Sequence, residues 1–191
     1  MEIPDEEKRG RVKTSSRWPG DAVFDAAGRY RYVLTRDLAH DGFYVDGVPC
    51  ADQRRLLFVL LNPSVATATH NDPTIAKCCR FGSMWRYRHL AICNIFALRA
   101  TDPAWLYKDD DPVGFANDHY LIQEARRADL VVCAWGAHGE FNDRGRHVFR
   151  LLTAENVEPH ALSWTKSGQP GHPLYLKGDS EPRLWASWNR P

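Results

Sequence analysis

The chain has 191 residues, 43% hydrophobic and 26% charged, with 25 basic residues against 24 acidic ones and a net charge of +1. That length and apolar content suit one domain with an ordinary core. The balanced charge excludes a bulk polycation, so any nucleic-acid contact must come from a local basic patch rather than a global field.

The first 20 residues are polar, with Glu6-Glu7-Lys8-Arg9-Gly10-Arg11, and read as a loose arm before a single domain over residues 21–191. The charged opening does not read as a secretory signal, and no apolar stretch reaches the roughly 18–20 residues of a membrane span. A cytoplasmic protein with no membrane partner is expected. The segment Arg29-Tyr30-Arg31-Tyr32-Val33-Leu34 alternates polar and apolar residues and reads as a half-buried strand suited to a sheet edge. Turn signals at Asp41-Gly42 and Asp46-Gly47 suggest a hairpin.

Continuous apolar runs follow at residues 56–61, 90–96 and 130–135, with a weaker one at 161–164. Runs of this kind suit parallel strands covered on both faces. Helical patterns lie between them. Asp72-Pro73 supplies an N-cap and a proline at the first helical position, and Ile75, Cys78, Cys79 and Gly82 then share a face. Leu121, Ala125 and Ala128 repeat the pattern, as do Val148, Leu151 and Leu152. The expected fold is α/β, a three-layer α/β/α sandwich around a mostly parallel, four-stranded central sheet.

Five cysteines (Cys50, Cys78, Cys79, Cys93 and Cys133) include no C-x-x-C pair, and Cys93 and Cys133 sit inside apolar runs as small buried hydrophobes. No metal site, disulfide framework or organic cofactor is expected. The chemistry gathers instead where strands end. Asn62 follows the first apolar run in Leu61-Asn62-Pro63-Ser64, Asn94 interrupts the second, Trp135-Gly136 closes the third, and His172-Pro173 follows the fourth. In an open α/β sheet the carboxyl ends of strands line the ligand crevice. Asn62 can hold and polarise a water or cap a turn. Asn94 can satisfy neighbouring backbone or read a base edge, because one amide offers both donor and acceptor. The small residues Ser64, Ala66 and Ala68 let a ligand approach the chain. Asp72 and Asp102 are acid/base candidates, and Asp72 can instead be a helix cap. Phe96 or Trp85 can stack on a base, and Lys166, Arg99 and Arg86 can meet phosphates or simply face solvent.

In this order the four segments resemble the uracil-DNA glycosylase superfamily. Leu61-Asn62-Pro63-Ser64 is similar to the first motif of its mismatch-specific branch, in which an asparagine–proline pair holds the attacking water. Asn94 resembles the base-recognising asparagine, Ala134-Trp135-Gly136 the closing Trp-Gly, and His172-Pro173 the His-Pro whose histidine stabilises the departing base. The resemblance covers residues 55–176. Over nearly its whole length the chain resembles still more closely a bacterial and phage family labelled as a domain of unknown function, through Asn71-Asp72-Pro73-Thr74, the stretch from Asn94 to Pro103, and Gly171-His172-Pro173-Leu174-Tyr175-Leu176.

The resemblance implies a glycosylase fold and a DNA glycosylase that flips a modified base and leaves an abasic site. Asn62, His172 and Asp72 would be catalytic, Asn94, Phe96 and Ser64 would bind the base, and Lys166, Arg99 and Arg86 would touch DNA. The first motif lacks the aspartate and tyrosine of the uracil enzymes. Small residues in their place imply room for a 5-substituted pyrimidine such as glucosylated hydroxymethylcytosine, and a role in anti-phage defence. Leu174-Tyr175 replaces the usual Ser-Pro of the last motif. Two other readings remain at this stage: a hydrolase or transferase acting on free nucleosides, and an inactive module that binds modified DNA.

Overall fold

A computed structural model describes residues 18–38, 44–45, 48–49 and 53–188, the two short pieces as backbone alone. Most of the expected N-terminal arm, together with Cys50, Asp41-Gly42 and Asp46-Gly47, lies outside the described residues. At its end Trp18 is buried in the core, and the Pro19 carbonyl accepts from the Asp37 amide at 2.7 Å.

The strands are β1 (Ala22–Phe24), β2 (Arg31–Asp37), β3 (Tyr44–Val45), β4 (Val48–Pro49), β5 (Arg55–Leu60), β6 (His89–Asn94), β7 (Leu130–Cys133), β8 (Pro159–Ala161) and β9 (Arg183–Leu184). The helices are α1 (Pro73–Met84), α2 (Asn117–Arg127) and α3 (Arg144–Ala154). β3 and β4 pair as a small antiparallel hairpin. The other strands form one seven-stranded sheet in the order β1-β2-β6-β5-β7-β8-β9. Its centre, β6-β5-β7-β8, is parallel, and the outer pairings are antiparallel. The expected four-stranded sheet is thus the parallel middle of a larger, mixed one.

The apolar runs explain that middle. β5, β6 and β7 are buried on both faces, so each needs consecutive apolar residues. Two core clusters result. Leu57, Val59, Cys93 and Cys133 face α2 and α3, whereas Leu56, Phe58, Ile92 and Val132 face α1. The α1 face is the one its spacing predicts, with Ile75, Cys78, Cys79 and Gly82 buried. A Cβ on Gly82 would stand 2.6 Å from Leu38, so the helix can approach this closely only with glycine there. In α3, Phe149 is buried and Leu151 is only partly so.

Two expectations are corrected. β2 is no half-buried edge: it lies between β1 and β6, and its arginines are themselves buried, so polarity did not report exposure. The fourth parallel strand is Pro159–Ala161 rather than residues 161–164, which form its exit; proline is tolerated at the first residue of a strand.

Candidate active site at the carboxyl edge of the parallel strands

Beyond the sheet the exits of β5 and β6 run side by side. Ile95 and Phe96 amides donate to Leu60 and Leu61 carbonyls at 2.8 and 2.9 Å, and the Ala100 amide donates to the Pro63 carbonyl at 2.9 Å. Asn62 sits in this seam. Its Nδ2 donates to the carbonyls of Ala100 at 2.7 Å and Pro63 at 3.0 Å, which fixes the amide and leaves Oδ1 as the acceptor it presents. The turn-capping and water-holding readings of Asn62 are therefore compatible, one for each end of the amide.

Asn94 is the last residue of β6, in register with Leu60, and belongs to the strand face of Leu90 and Ile92 that looks toward α1. It is 1% exposed, and among the described residues neither its Oδ1 nor its Nδ2 has a hydrogen-bond partner. Leaving a buried polar group unpaired costs about 1–3 kcal/mol. The bland reading, in which this amide satisfies nearby backbone, fails: Asn117 does that work, its Nδ2 donating to the carbonyls of Asn94 at 2.9 Å and Ile95 at 3.1 Å. Arg144 adds a bond from Nε to the Ile95 carbonyl at 2.7 Å, with its guanidinium held by Asp118.

The β7 and β8 exits are joined in the same way. The Gly136 amide donates to the Pro170 carbonyl at 2.7 Å, and the Gly171 amide to the Ser163 carbonyl at 2.8 Å. Gly136 has φ 79° and ψ −172°, a region open essentially to glycine alone. A Cβ there would stand 3.5 Å from His172 Cβ, which places the histidine directly over the β7 exit. Trp135 is core, and its indole N–H donates to Gln169 Oε1 at 2.8 Å, tying the strand to the loop that carries His172.

His172 caps a short 3-10 turn over Pro173–Tyr175, with a long 3.4 Å contact from the Leu174 amide to Nδ1. With Nδ1 accepting, the neutral ring carries its proton on Nε2, a tautomer assigned from that contact. Burial pushes the imidazole below its ordinary pKa, and the charge of Asp72 only partly opposes this, which favours the neutral ring. Lys77 of α1 braces the segment by donating to the Leu176 carbonyl at 3.1 Å.

Asp72 is buried, and its Oδ1 caps α1 by accepting from the Ile75 amide at 2.8 Å. Its charge also acts on His172, Arg31 and Arg36. Burial pulls Arg31 down to about 10, still cationic at neutral pH, and leaves its Nε unpartnered.

Asn62, Asn94, Asp72 and His172 therefore share the carboxyl edge of the four parallel strands, although no hydrogen bond among the described residues joins them to one another. Ser64 is half-buried on the loop between Asn62 and Asp72. Lys166 is exposed on the turn between β8 and His172. Asp102 caps the 3-10 turn Pro103–Tyr107 by accepting from the Ala104 amide at 2.9 Å.

Four candidates are placed less favourably. Phe96 is 0% exposed and packs against Phe141 on the α2–α3 side, with no free ring face for a base. Arg86 follows α1, which runs back from the crevice. Its carbonyl accepts from Arg54 beside the start of β5, about 20 Å of strand away from the site. Trp85, stacked with Phe58 and Phe81, lies at that same far end. Arg99 stays near the crevice but is spent on the β1–β2 turn, where it donates to the Gly28 carbonyl at 2.8 Å and lies over Phe24.

Two clefts of about 360 and 350 Å³ lie elsewhere. One is lined by Arg36, Arg55 and His89, the other by Asn142, Arg144 and His147. Among the described residues no group of three or more His, Cys, Asp or Glu side chains is placed to hold a metal ion, and no helix is long and apolar enough to cross a membrane.

Residues 31–174 match the family model described as Protein of unknown function (DUF1643). The chain belongs to this family. The DUF1643 match begins at β2 and ends just past His172, so it contains all four strand exits described above. No curated protein and no solved structure matches the chain. Sequence reasoning missed Arg31, Arg36 and Asn117, which hold the exits in place. Their signal was two arginines flanking the apolar centre of a strand and an asparagine on the buried face of α2.

Proposed function

We propose that this DUF1643 protein is a DNA glycosylase that hydrolyses the N-glycosidic bond of a flipped, modified base and leaves an abasic site. The observation that carries the reading is the Asn94 amide, buried at a strand's carboxyl end with donor and acceptor both idle. A base edge supplies the complementary pair. Because Asn94 is sealed, the loops above it must part for a base to enter.

In the proposed reaction the bond from C1′ to the base nitrogen breaks, its electron pair leaves with the base, water oxygen bonds to C1′, and the proton this water loses passes through solvent to the departing base, so that neutral free base and a C1′ hydroxyl result. Asn62 Oδ1 would accept a hydrogen bond from the attacking water, and the Asp72 carboxylate would favour the developing positive charge. His172 donates from Nε2 to the base oxygen on which negative charge gathers. A neutral imidazole beside a carboxylate is suited to that role, because its proton is not already committed to an ion pair. Leu174 and Tyr175, exposed immediately after His172-Pro173, are the apolar groups available to fill the gap left by a flipped base. Lys166, exposed on the turn after β8, would meet a phosphate.

The substrate proposed is a 5-substituted pyrimidine, with glucosylated hydroxymethylcytosine in phage DNA as the specific case and defence as the setting. Incubation of purified protein with such DNA, followed by alkali, should break strands. Asn62→Ala and His172→Ala should each lower the rate by about 10²–10³. Parent-like cleavage by both variants would remove the assignment.

A further inference from the structure

Arg31 and Arg36 belong to no motif, yet each is only 1% exposed. Outside β2 their guanidiniums bond to one stretch of chain. Arg31 Nη1 donates to the Ala66 carbonyl at 2.6 Å. Arg36 Nη2 donates to the carbonyls of Thr67 at 2.6 Å and His70 at 3.2 Å, and Arg36 Nε donates to Asn71 Oδ1 at 2.9 Å. All four acceptors lie on the loop between Asn62 and Asp72, which contains neither helix nor strand. Of its small residues Ser64, Ala66 and Ala68, only Ala66 is packed into the core. Burying two guanidiniums is costly, and a carboxylate whose charge acts on both is Asp72, at the far end of the same loop. An apolar pair would fill β2 at lower cost but would leave those carbonyls without donors.

We propose that Arg31 and Arg36 are positioning residues that hold the 62–72 loop to β2, and so set Asn62 and Asp72 in fixed relation at the site. The inference rests on the glycosylase reading only for its catalytic consequence. The loop-holding itself is independent of it.

The test is amide exchange on the full chain. The Thr67 amide, bonded to the His70 carbonyl at 3.0 Å, reports on the loop, and the β5–β6 amides report on the core. In R36M the Thr67 amide should exchange about tenfold faster with the core amides unchanged, from the loss of one to two hydrogen bonds. R36K, which keeps the charge but not the fork, should recover part of that protection. N71A removes a single acceptor and should speed exchange about threefold. On modified DNA, R36M should lower kcat while leaving KM within about twofold, as expected for lost alignment rather than lost binding. Unchanged Thr67 exchange in folded R36M overturns the proposal; should R36M not fold, unchanged exchange in N71A does so. Faster loop exchange with parent kcat also overturns it, since the arginines would then hold a loop the reaction does not need. A parent protein inactive on every modified DNA removes the glycosylase reading instead, and the exchange result alone then decides the loop-holding.

Discussion

Replacing Asn94 should stabilise the protein while removing its function. The amide is 1% exposed with both polar atoms unpartnered. Each such atom costs about 1–3 kcal/mol relative to an apolar replacement. Asn94→Val keeps β-strand preference and removes both atoms, against a repacking penalty of about 1 kcal/mol for the change of shape. The backbone carbonyl of residue 94 still accepts from Asn117, so the strand end stays anchored. The balance is a gain of about 2 kcal/mol, or about 4–8 °C in Tm for a chain of this size. Differential scanning calorimetry on the parent and Asn94→Val reads the shift, and a base-release assay on the same samples reads the loss. Such a trade is expected of a group kept idle for a ligand. A lower Tm in the variant would refute the reasoning, because it would mean that the amide is already satisfied in the folded protein.

Gly136→Ala should cost about 1–3 kcal/mol by forcing a side chain into φ 79°, ψ −172°, and should slow base release more than it weakens DNA binding because relaxing that strain shifts the backbone beneath His172, whose Cβ would stand 3.5 Å from the new one; calorimetry and kcat check both. His172 lies below its ordinary pKa when folded, so the unfolded chain binds its proton more readily. The stability this confers is fully present above the unfolded value near 6.5 and is lost as pH falls through the folded one. The Tm difference between the parent and His172→Gln should therefore change between pH 7.5 and 5, and a flat difference contradicts the burial argument. Burial pushes the Asp118 carboxyl up, but hydrogen bonds and charge from Arg144 and His147 more than offset this and hold it below the usual range. Its contribution is present above the unfolded value and lost as pH falls through the folded one. Asp118→Asn should cost about 1–2 kcal/mol at pH 7, a figure discounted because Asp118 is partly in water, and the cost measured by urea unfolding should shrink in acid.

The parallel middle of the sheet was legible because β5, β6 and β7 are buried on both faces and show it as unbroken apolar runs. The antiparallel additions were not. β1 and β9 are three and two residues long, too short for a period to register. β2 was visible as a strand but misplaced, since Arg31 and Arg36 mimic a solvent face while being buried under the 62–72 loop. At the site, strand exits could be read because a polar residue ending an apolar run is conspicuous, as Asn62 and Asn94 are. Phe96 could not be placed: once the chain leaves β6 the alternation lapses, and residues 95–97 all turn into the α2–α3 core. Arg86 was avoidable, since a helix that follows a parallel strand runs back from the crevice and its last turn ends at the opposite edge. The roles of the arginine pair and Asn117 were hard to read because, Asn71 Oδ1 apart, the acceptors they bond in the loops are backbone carbonyls, which no side-chain pattern encodes.

The most direct measurement counts products. Purified protein is mixed with duplex DNA bearing glucosylated hydroxymethylcytosine, and with the same sequence bearing unmodified cytosine. Free base is quantified by mass spectrometry and abasic sites by aldehyde labelling. Base excision predicts equal molar amounts of free modified base and abasic sites from the first DNA, and neither product from the second. DNA bound and recovered intact, or base released only from free nucleosides, would contradict it.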